Sequence, residues 1–368
     1  MNYDLIVIGG GPAGAAAAIT ASRGGARVLL LERGRFPRHK VCGEFVSSES
    51  LQILRTLLAG NHSFLESCIS ISEARIFLDG QVITAPVHPP AASLTRFDLD
   101  YALWTAAEAA GVCTRSQTAA RSVQGDGPFV VTTAEGQIQG RAVVNASGRW
   151  SNLNTHMADA PNKWIGLKAH FFENTPATTV DLYFFPGGYC GVQPVRSPEI
   201  VGETVVNVCA MVNSQDSNTL PQVFAQHAGL RERSRGWRPA TDMVATSPLR
   251  FLKPVPVRDG ILQTGDAAGF VDPFVGDGIA LALRSGKLAA SCLLDFLSGK
   301  KTRSDAADDY RNAYTRELLP VFESSSRLRR LLKLPTALRS PLVRLMHNDA
   351  VAAYVVRKTR GSAPEARS

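Results

Sequence analysis

No two of the six cysteines stand in C-x-x-C spacing; Cys42, Cys68, Cys113, Cys190, Cys209 and Cys292 are scattered along the chain. The seven histidines form no H-x-H, no H-E-x-x-H and no mixed Cys/His cluster, so no metal site is expected. The N-terminus has neither the basic flank nor the cleavage site of a signal peptide. Without a targeting signal the cysteines read as reduced thiols and the protein is expected in the cytoplasm. There is also no internal repeat and no low-complexity tract. That leaves a globular chain of one large or two intimate domains.

What is present is ordinary in amount and uneven in place. Of 368 residues, 45% are apolar and 20% charged, as in an average soluble protein. The net charge of +8 sits at one end. From Arg327 to Ser368 ten Lys/Arg stand against two Asp/Glu, while the first 326 residues hold thirty of each sign. A neutral body with a basic tail argues against nucleic-acid binding. In the tail, Leu328, Leu331 and Leu332 share a face, with Arg329, Arg330 and Lys333 off it. Two readings stand: a solvated face over a C-terminal cap, or a docking face for an acidic carrier protein, a redox partner or an anionic membrane surface.

The opening stretch carries the first motif. Asp4-Leu-Ile-Val-Ile8 reads as a buried parallel strand, Ala15–Ser22 as a helix, and Arg27–Leu31 as a second strand. Between the first two lies Gly9-Gly10-Gly11-Pro12-Ala13-Gly14, which fits G-x-G-x-x-G, and Glu32 ends the second strand. This is a complete dinucleotide-binding βαβ unit. Gly9 allows the tight turn, Gly11 the approach of a pyrophosphate, and Gly14 close helix–strand packing. The helix N-terminus around Pro12 and Ala13 offers free N–H groups to phosphates. Glu32 is expected to accept from an adenosine ribose. Leu5–Ser22 is uncharged and long enough to span a membrane, but three glycines and a proline argue against a spanning helix.

Arg33 to Ser47 reads as a loop beside the dinucleotide, whose basic residues, Arg33 first, either meet phosphates or lie solvated. Helices are expected over Ser48–Leu58 and from Arg96 to Ala110, and a hairpin over Ile69–Pro90 about Asp79-Gly80. Strands are expected at Arg121–Val123, Phe129–Thr133 and from Arg141, then at Leu167–Phe172, Val180–Phe185, Tyr189–Val195 and Thr204–Met211. Leu220–Leu230 reads as one helix, Asp277–Leu297 as a long buried one, and Ser340-Pro341 as the start of one reaching Val356. The fold class is therefore α/β. A Rossmann-type cofactor-binding domain takes residues 1–68, 93–160 and 250–300. An inserted, mostly antiparallel β-sheet substrate domain takes 69–92 and 161–249, and a basic C-terminal helical cap takes 301–368.

A second glycine–acid segment, Gly265-Asp266-Ala-Ala-Gly269-Phe-Val-Asp-Pro273-Phe-Val-Gly276-Asp277-Gly278-Ile279, follows a strand and opens a helix. Asp266 is placed to accept from a cofactor hydroxyl, and Pro273, Gly276 and Gly278 shape a turn that approaches a flat ring. With the opening unit, this segment resembles the FAD-dependent oxidoreductases of the aromatic-hydroxylase type, most of all the branch of geranylgeranyl reductases and flavin-dependent halogenases. Lys40-Val-Cys42-Gly-Glu44, Ala146-Ser-Gly148-Arg149 and Ser285-Gly286-Lys287 carry the likeness to that branch.

The resemblance implies FAD: pyrophosphate at Gly9, Gly11 and Gly14, ribose at Glu32, ribityl chain or pyrophosphate at Asp266, and the ring along Pro273–Ile279. It implies cofactor contact near the phosphates for Arg96, which is also spaced for a salt bridge with Asp98 or Asp100. The halogenase Trp-x-Trp-x-x-Pro motif is absent; Trp104, Trp150, Trp164 and Trp237 do not form it. Where the reductases carry Tyr-x-Trp-x-Phe-Pro, this chain has Tyr189-Cys190-Gly191-Val192-Gln193-Pro194. Gly191 in the tryptophan's place implies a wider pocket and argues against a polyprenyl substrate.

The flavin carries the hard chemistry. The first expectation is a monooxygenase acting on an organic or carrier-tethered substrate. The alternatives are a C=C reductase of the geranylgeranyl reductase type and a non-catalytic redox flavoprotein. Without a second G-x-G-x-x-G, the electron donor is open between NAD(P)H, free reduced flavin and a redox protein. Cys42, beside Lys40, is expected either to be a reactive thiol of lowered pKa or a packed one. Tyr189 and Glu44 are expected as proton donors, with simple packing the alternative for Tyr189.

Overall fold

The computed structural model describes residues 2–60, 63–66, 68–149, 153, 164–197, 199–200, 202–246, 249–332 and 334–345. β1 (Asn2–Ile8), α1 (Pro12–Arg23) and β2 (Val28–Leu31) form the expected βαβ unit, with Leu5 to Ile8 in parallel register with Val28 to Leu31. β3 (Phe45–Val46) precedes α2 (Ser48–Leu58), which Ser47 caps by accepting from the Ser50 amide. After α3 (Ser63–Glu66) come the hairpin β4 (Ile69–Leu78) and β5 (Gln81–Ser93), then α4 (Arg96–Ala109), capped by Thr95. β6 (Cys113–Arg115), β7 (Ser122–Gln124), β8 (Phe129–Thr133) and β9 (Gly136–Asn145) follow.

The second half begins with β10 (Trp164–Phe172), β11 (Thr179–Phe185), β12 (Gly188–Val195) and β13 (Val205–Asn213). The one helix expected over Leu220–Leu230 is two, α5 (Leu220–Ala225) and α6 (Ala228–Arg233). His227 breaks it: its backbone is extended, and its ring accepts from the Leu230 amide to cap the second helix. β14 (Arg238–Pro239), β15 (Val244–Ala245), β16 (Val257–Arg258) and β17 (Ile261–Gln263) lead to α7 (Gly278–Leu297), α8 (Arg303–Glu317), α9 (Leu319–Leu332) and α10 (Thr336–Leu345). The last of these starts before Ser340 and holds Pro341 inside it. Its expected continuation to Val356 lies outside the described residues, as do Lys333 and Trp150.

The strands make two sheets. In the first the order is β16-β17-β9-β1-β2-β6, parallel from β17 to β6, with β8 antiparallel to β9 and β7 antiparallel to β8. The second is β14-β10-β13-β12-β11-β4-β5-β3, with β15 on β10. It is antiparallel except where β11 meets β4. Phe45 and Val46, expected with the cofactor elements, instead pair with Ser93 and Ala92 at the edge of this second sheet. The loop bearing Cys42 therefore runs from one sheet to the other.

Packing follows from composition. The alanine face of α1 lets α7 come close, and a Cβ at Gly286 would strike the carbonyl of Ala13. That contact explains Gly286, while the neighbouring Ser285 hydroxyl accepts from the Gly265 amide at 2.9 Å. The main core joins α1, α2, α4, α7 and α8 under the first sheet. A second cluster packs Leu167, Cys190, Val192 and Val208 of the second sheet against α5 and α6. Alternation along β12 then turns Tyr189, Gly191 and Gln193 toward the space between the sheets. Among the described residues no helix is long and apolar enough to cross a membrane.

Candidate active site

A cavity of about 1110 Å³ lies between the sheets. Gly9, Gly11, Pro12, Ala13, Glu32, Arg33, Arg96, Gly148, Gly265, Asp266, Pro273, Gly276, Gly278 and Ile279 all line it, with Cys42, Glu44 and Tyr189. Gly14 does not line it. A Cβ there would strike the carbonyl of Gly9, so this glycine is needed for packing beneath the loop. Gly9 has φ +108, and a Cβ on it would meet the Ala146 carbonyl. Gly10, a free position of the motif, is closed too: a Cβ would come 2.7 Å from the Trp104 ring. Gly11 is different. A Cβ there would stand in open cavity, 3.7 Å from Lys40 Nζ and 3.8 Å from an Arg96 guanidinium nitrogen.

These features fit the diphosphate of FAD. An uncapped helix N-terminus, α1, faces two cations across the space above Gly11. Arg96 makes the salt bridge that its spacing allowed, at 2.7 Å to both Asp100 oxygens, and still lines the cavity. Lys40 reaches the same carboxylate at 3.2 Å. Asp100 is wholly buried, and its two partners hold it below the usual carboxylate range despite burial. Glu32 accepts from the Gly10 amide at 2.9 Å, the Gly34 amide at 2.8 Å and Arg38 at 2.9 Å. That leaves lone-pair capacity for a hydroxyl from the cavity.

At the other end, Gly276 (φ +79) turns the chain into α7 against Phe45, and Arg149 lies 3.6 Å from Asp266 and stacks on Phe270. Two buried polar atoms on cavity-lining residues, the Tyr189 hydroxyl and Gln193 Oε1, have no hydrogen-bond partner among the described residues. A ligand with polar ring edges fits that need.

Burial and neighbouring charge distinguish the three expected catalytic side chains: Cys42 and Tyr189 fit the packed alternative, and Glu44 is corrected. Cys42 is not an activated thiol: burial pushes its pKa up, outweighing Arg96 and Lys168, so it keeps its proton. Glu44 is not a proton donor. Its buried carboxylate accepts from Lys168 Nζ at 2.7 Å, from His170 Nε2 at 2.8 Å and from the Arg96 amide at 2.9 Å. Although burial alone raises its pKa, Lys168 and His170 bring it down to about 2. Tyr189 is held well above the ordinary tyrosine value by burial, and its ring packs 5.5 Å from Phe184 and 5.8 Å from Phe274. It is a wall of the cavity.

The sequence reading missed Lys168, His170, His39 and Asn207. Lys168 and His170 are alternate residues of β10, a strand read only for its apolar pattern, and that alternation of two basic residues was the available signal. His39, Glu44 and His170 bring nitrogen and oxygen atoms within 4.8 Å of one another, a metal-like grouping. The Lys168 ammonium already stands against Glu44 and lies 3.4 Å from His39 Nδ1, so the cation's place is filled.

The C-terminal region covers the cavity. Leu328, Leu331 and Leu332 line it, while Arg329 pairs with Asp272 at 2.5 Å and Arg339 with both oxygens of Asp79 at 2.5 and 2.7 Å. Two of the tail's arginines are thus bound to the body.

Residues 4–43 match the family described as FAD dependent oxidoreductase. The chain is 25% identical over 358 residues to digeranylgeranylglycerophospholipid reductase 2 of Methanopyrus kandleri, covering 88% of this chain and 85% of the relative. The flavin-dependent brominase Bmp2 has the same fold at a TM-score of 0.77 and 19% identity, over 98% of this chain and 94% of that one. A geranylgeranyl bacteriochlorophyll reductase-like protein of Thermoplasma acidophilum superposes at 0.74 and 22% identity, over 97% and 95%. The protein is an FAD-dependent oxidoreductase, similar to the geranylgeranyl reductase and flavin-dependent halogenase branch.

Proposed function

We propose that this oxidoreductase reduces a carbon–carbon double bond in a large, mostly apolar substrate, with Cys42 as the proton source. The single observation that carries this reading is the placement of the Cys42 thiol on the wall of a cavity lined mainly by apolar residues, where burial shifts its pKa up. Ile76, Leu78, Ile83, Val180, Leu182 and Phe184 form the apolar wall, and Leu331 and Leu332 close it from the C-terminal side. Such walls bind hydrocarbon and exclude water. The curated relatives named as reductases support the same reading.

When bound, reduced FAD supplies a hydride equivalent. The remaining work falls to the chain. Gly9–Ala13, Arg96, Lys40 and Glu32 bind the cofactor's diphosphate and ribose. The apolar wall orients the alkene. Cys42 Sγ gives a proton to the carbon that does not take the hydride, and is left as a thiolate. Arg96 and Lys168, whose charges both act to lower the Cys42 pKa, stabilise that thiolate until solvent returns the proton. Gly191 lines the cavity with only Leu182 and the Cys209 carbonyl near its Cβ position, which leaves room for a bulky reacting group.

The test is an anaerobic assay of FAD-loaded enzyme reduced with dithionite, using a geranylgeranyl lipid and other bulky alkenes. The expected product gains two hydrogens without oxygen present. The hydroxylase expected first from the sequence would give no product until air is admitted, and the product would then contain an added oxygen; that result overturns the reductase reading. Cys42→Ala is expected to lower kcat on the order of a hundredfold with unchanged FAD content.

A further inference from the structure

We infer that Lys168 and His170 are positioning residues for Cys42, acting through Glu44; the inference rests on the reading of Cys42 as the proton source. Glu44 adopts φ +61, a left-handed conformation that a side-chain-bearing residue avoids unless its surroundings hold it there. The surroundings are Lys168, His170 and the Arg96 amide, which together take up both oxygens of its carboxylate.

The same turn is fixed at three further points. The Glu44 amide donates to Cys42 Sγ at 3.3 Å. Asn207 Nδ2 donates to the carbonyls of Cys42 and Gly43, at 3.1 and 2.9 Å. The carbonyls and carboxylate of one short turn are therefore tied down from β13 and β10 of the second sheet and from the Arg96 amide, and the sulfur by the turn's own Glu44 amide. Lys168, His170 and Asn207 do not line the cavity, so they reach the substrate only through this turn.

Lys168 is 1% exposed, and Glu44 and His170 are fully buried. A buried ion pair is a poor device for stability alone, because apolar residues of the same volume serve as well. Its use here is to set a backbone turn and a local charge. The groups that act electrostatically on the Cys42 thiol are Arg96, Lys168, the Glu44 carboxylate and, on β13, Cys209. A thread leads outward from the pair, from Lys168 Nζ to His39 Nδ1 at 3.4 Å and from His39 Nε2 to the exposed Glu199 at 3.0 Å.

The experiment titrates the thiol itself in FAD-loaded protein. Alkylation by iodoacetamide is followed against pH, with Cys42 located among the six cysteines by peptide mass spectrometry. Lys168→Met removes a positive neighbour and is expected to move the midpoint up; Glu44→Gln removes a negative one and is expected to move it down, each by about one pH unit. The double variant Lys168→Met/Glu44→Gln is expected to return toward the parent value. Loss of fold alone does not produce shifts of opposite sign that cancel. Where Lys168→Met fails to retain FAD, Glu44→Gln and the double variant still decide. Midpoints unmoved in Glu44→Gln, or shifts of one sign in both single variants, overturn the inference. In turnover, Lys168→Met is expected to lower kcat and leave KM unchanged. The titration needs no substrate, so a failure of the C=C reductase reading would appear in the anaerobic assay and leave the titration intact.

Discussion

The two ends of the cavity are built on different principles. At the diphosphate end the constraint is backbone shape over six consecutive residues, Gly9 to Gly14, where an added Cβ meets a carbonyl, a tryptophan ring or open space. At the Cys42 end it is side chains from distant segments: His39 and Glu44 from the loop, Lys168 and His170 from β10, Asn207 from β13. The first is a local solution to a demand common to every dinucleotide. The second is assembled by the fold, from a loop between the sheets and two strands of the second sheet. Substitutions at the first end are therefore expected to break cofactor binding, and those at the second to retune the Cys42 thiol.

The largest effect is expected from Gly14→Val, which drives a side chain into the Gly9 carbonyl. It should cost on the order of 4 kcal/mol and yield protein without flavin absorbance. A yellow, stable Gly14→Val protein would break the claim that this end is set by packing. Lys168→Met comes next. It strands the Glu44 carboxylate and should cost about 3 to 5 kcal/mol in denaturant unfolding, most of it recovered in the double variant with Glu44→Gln.

Acid tests the same pair without mutation. The Glu44 carboxyl is lowered from its ordinary 4.5 to about 2 in the folded protein. A depressed carboxyl stabilises the fold above its unfolded value, and that contribution is lost as pH falls through the folded one. About 3 kcal/mol should disappear between pH 4.5 and pH 2, and the loss should be absent in Glu44→Gln.

Gly11→Ala sharpens the contrast from the other side. Its Cβ has room, so the apoprotein should unfold at the parent's denaturant midpoint, while FAD binds about tenfold more weakly by titration, roughly 1.4 kcal/mol. Equal affinity for FAD would remove Gly11 from the site. The smallest effect is expected from Arg339→Ala, which releases α10 from Asp79 in the turn between β4 and β5. About 1 kcal/mol should be lost, a fall of a few degrees in Tm, with FAD binding unchanged.

Legibility followed the same division. The βαβ unit, the hairpin about Asp79-Gly80 and the α7 turn were readable because each is written in adjacent residues: a strand pattern, a glycine where φ is positive, an acid at the strand end. The helix break at His227 was not, because it rests on one extended residue whose ring caps α6 at the Leu230 amide, and no glycine or proline marks it at that position. Between the two readings of Cys42, a thiol of lowered pKa or a packed one, the sequence could not choose for a related reason. Lys40, its sequence neighbour, spends its charge on Asp100, and burial decides the thiol's proton. Glu44 looked like an acid in reach of substrate until two strand residues more than a hundred positions away closed on it.

The sequence by itself pointed to a dinucleotide at Gly9–Gly14 and, through Gly265–Ile279, to a second glycine–acid turn shaped to approach its ring. Steric exclusion around a backbone is local, and local patterns suffice to show it. Only the tertiary structure decided which side chains hold protons. That depends on burial and on the charges facing a group, and the sheet that carries Lys168 and His170 to Glu44 exists only once the chain has folded.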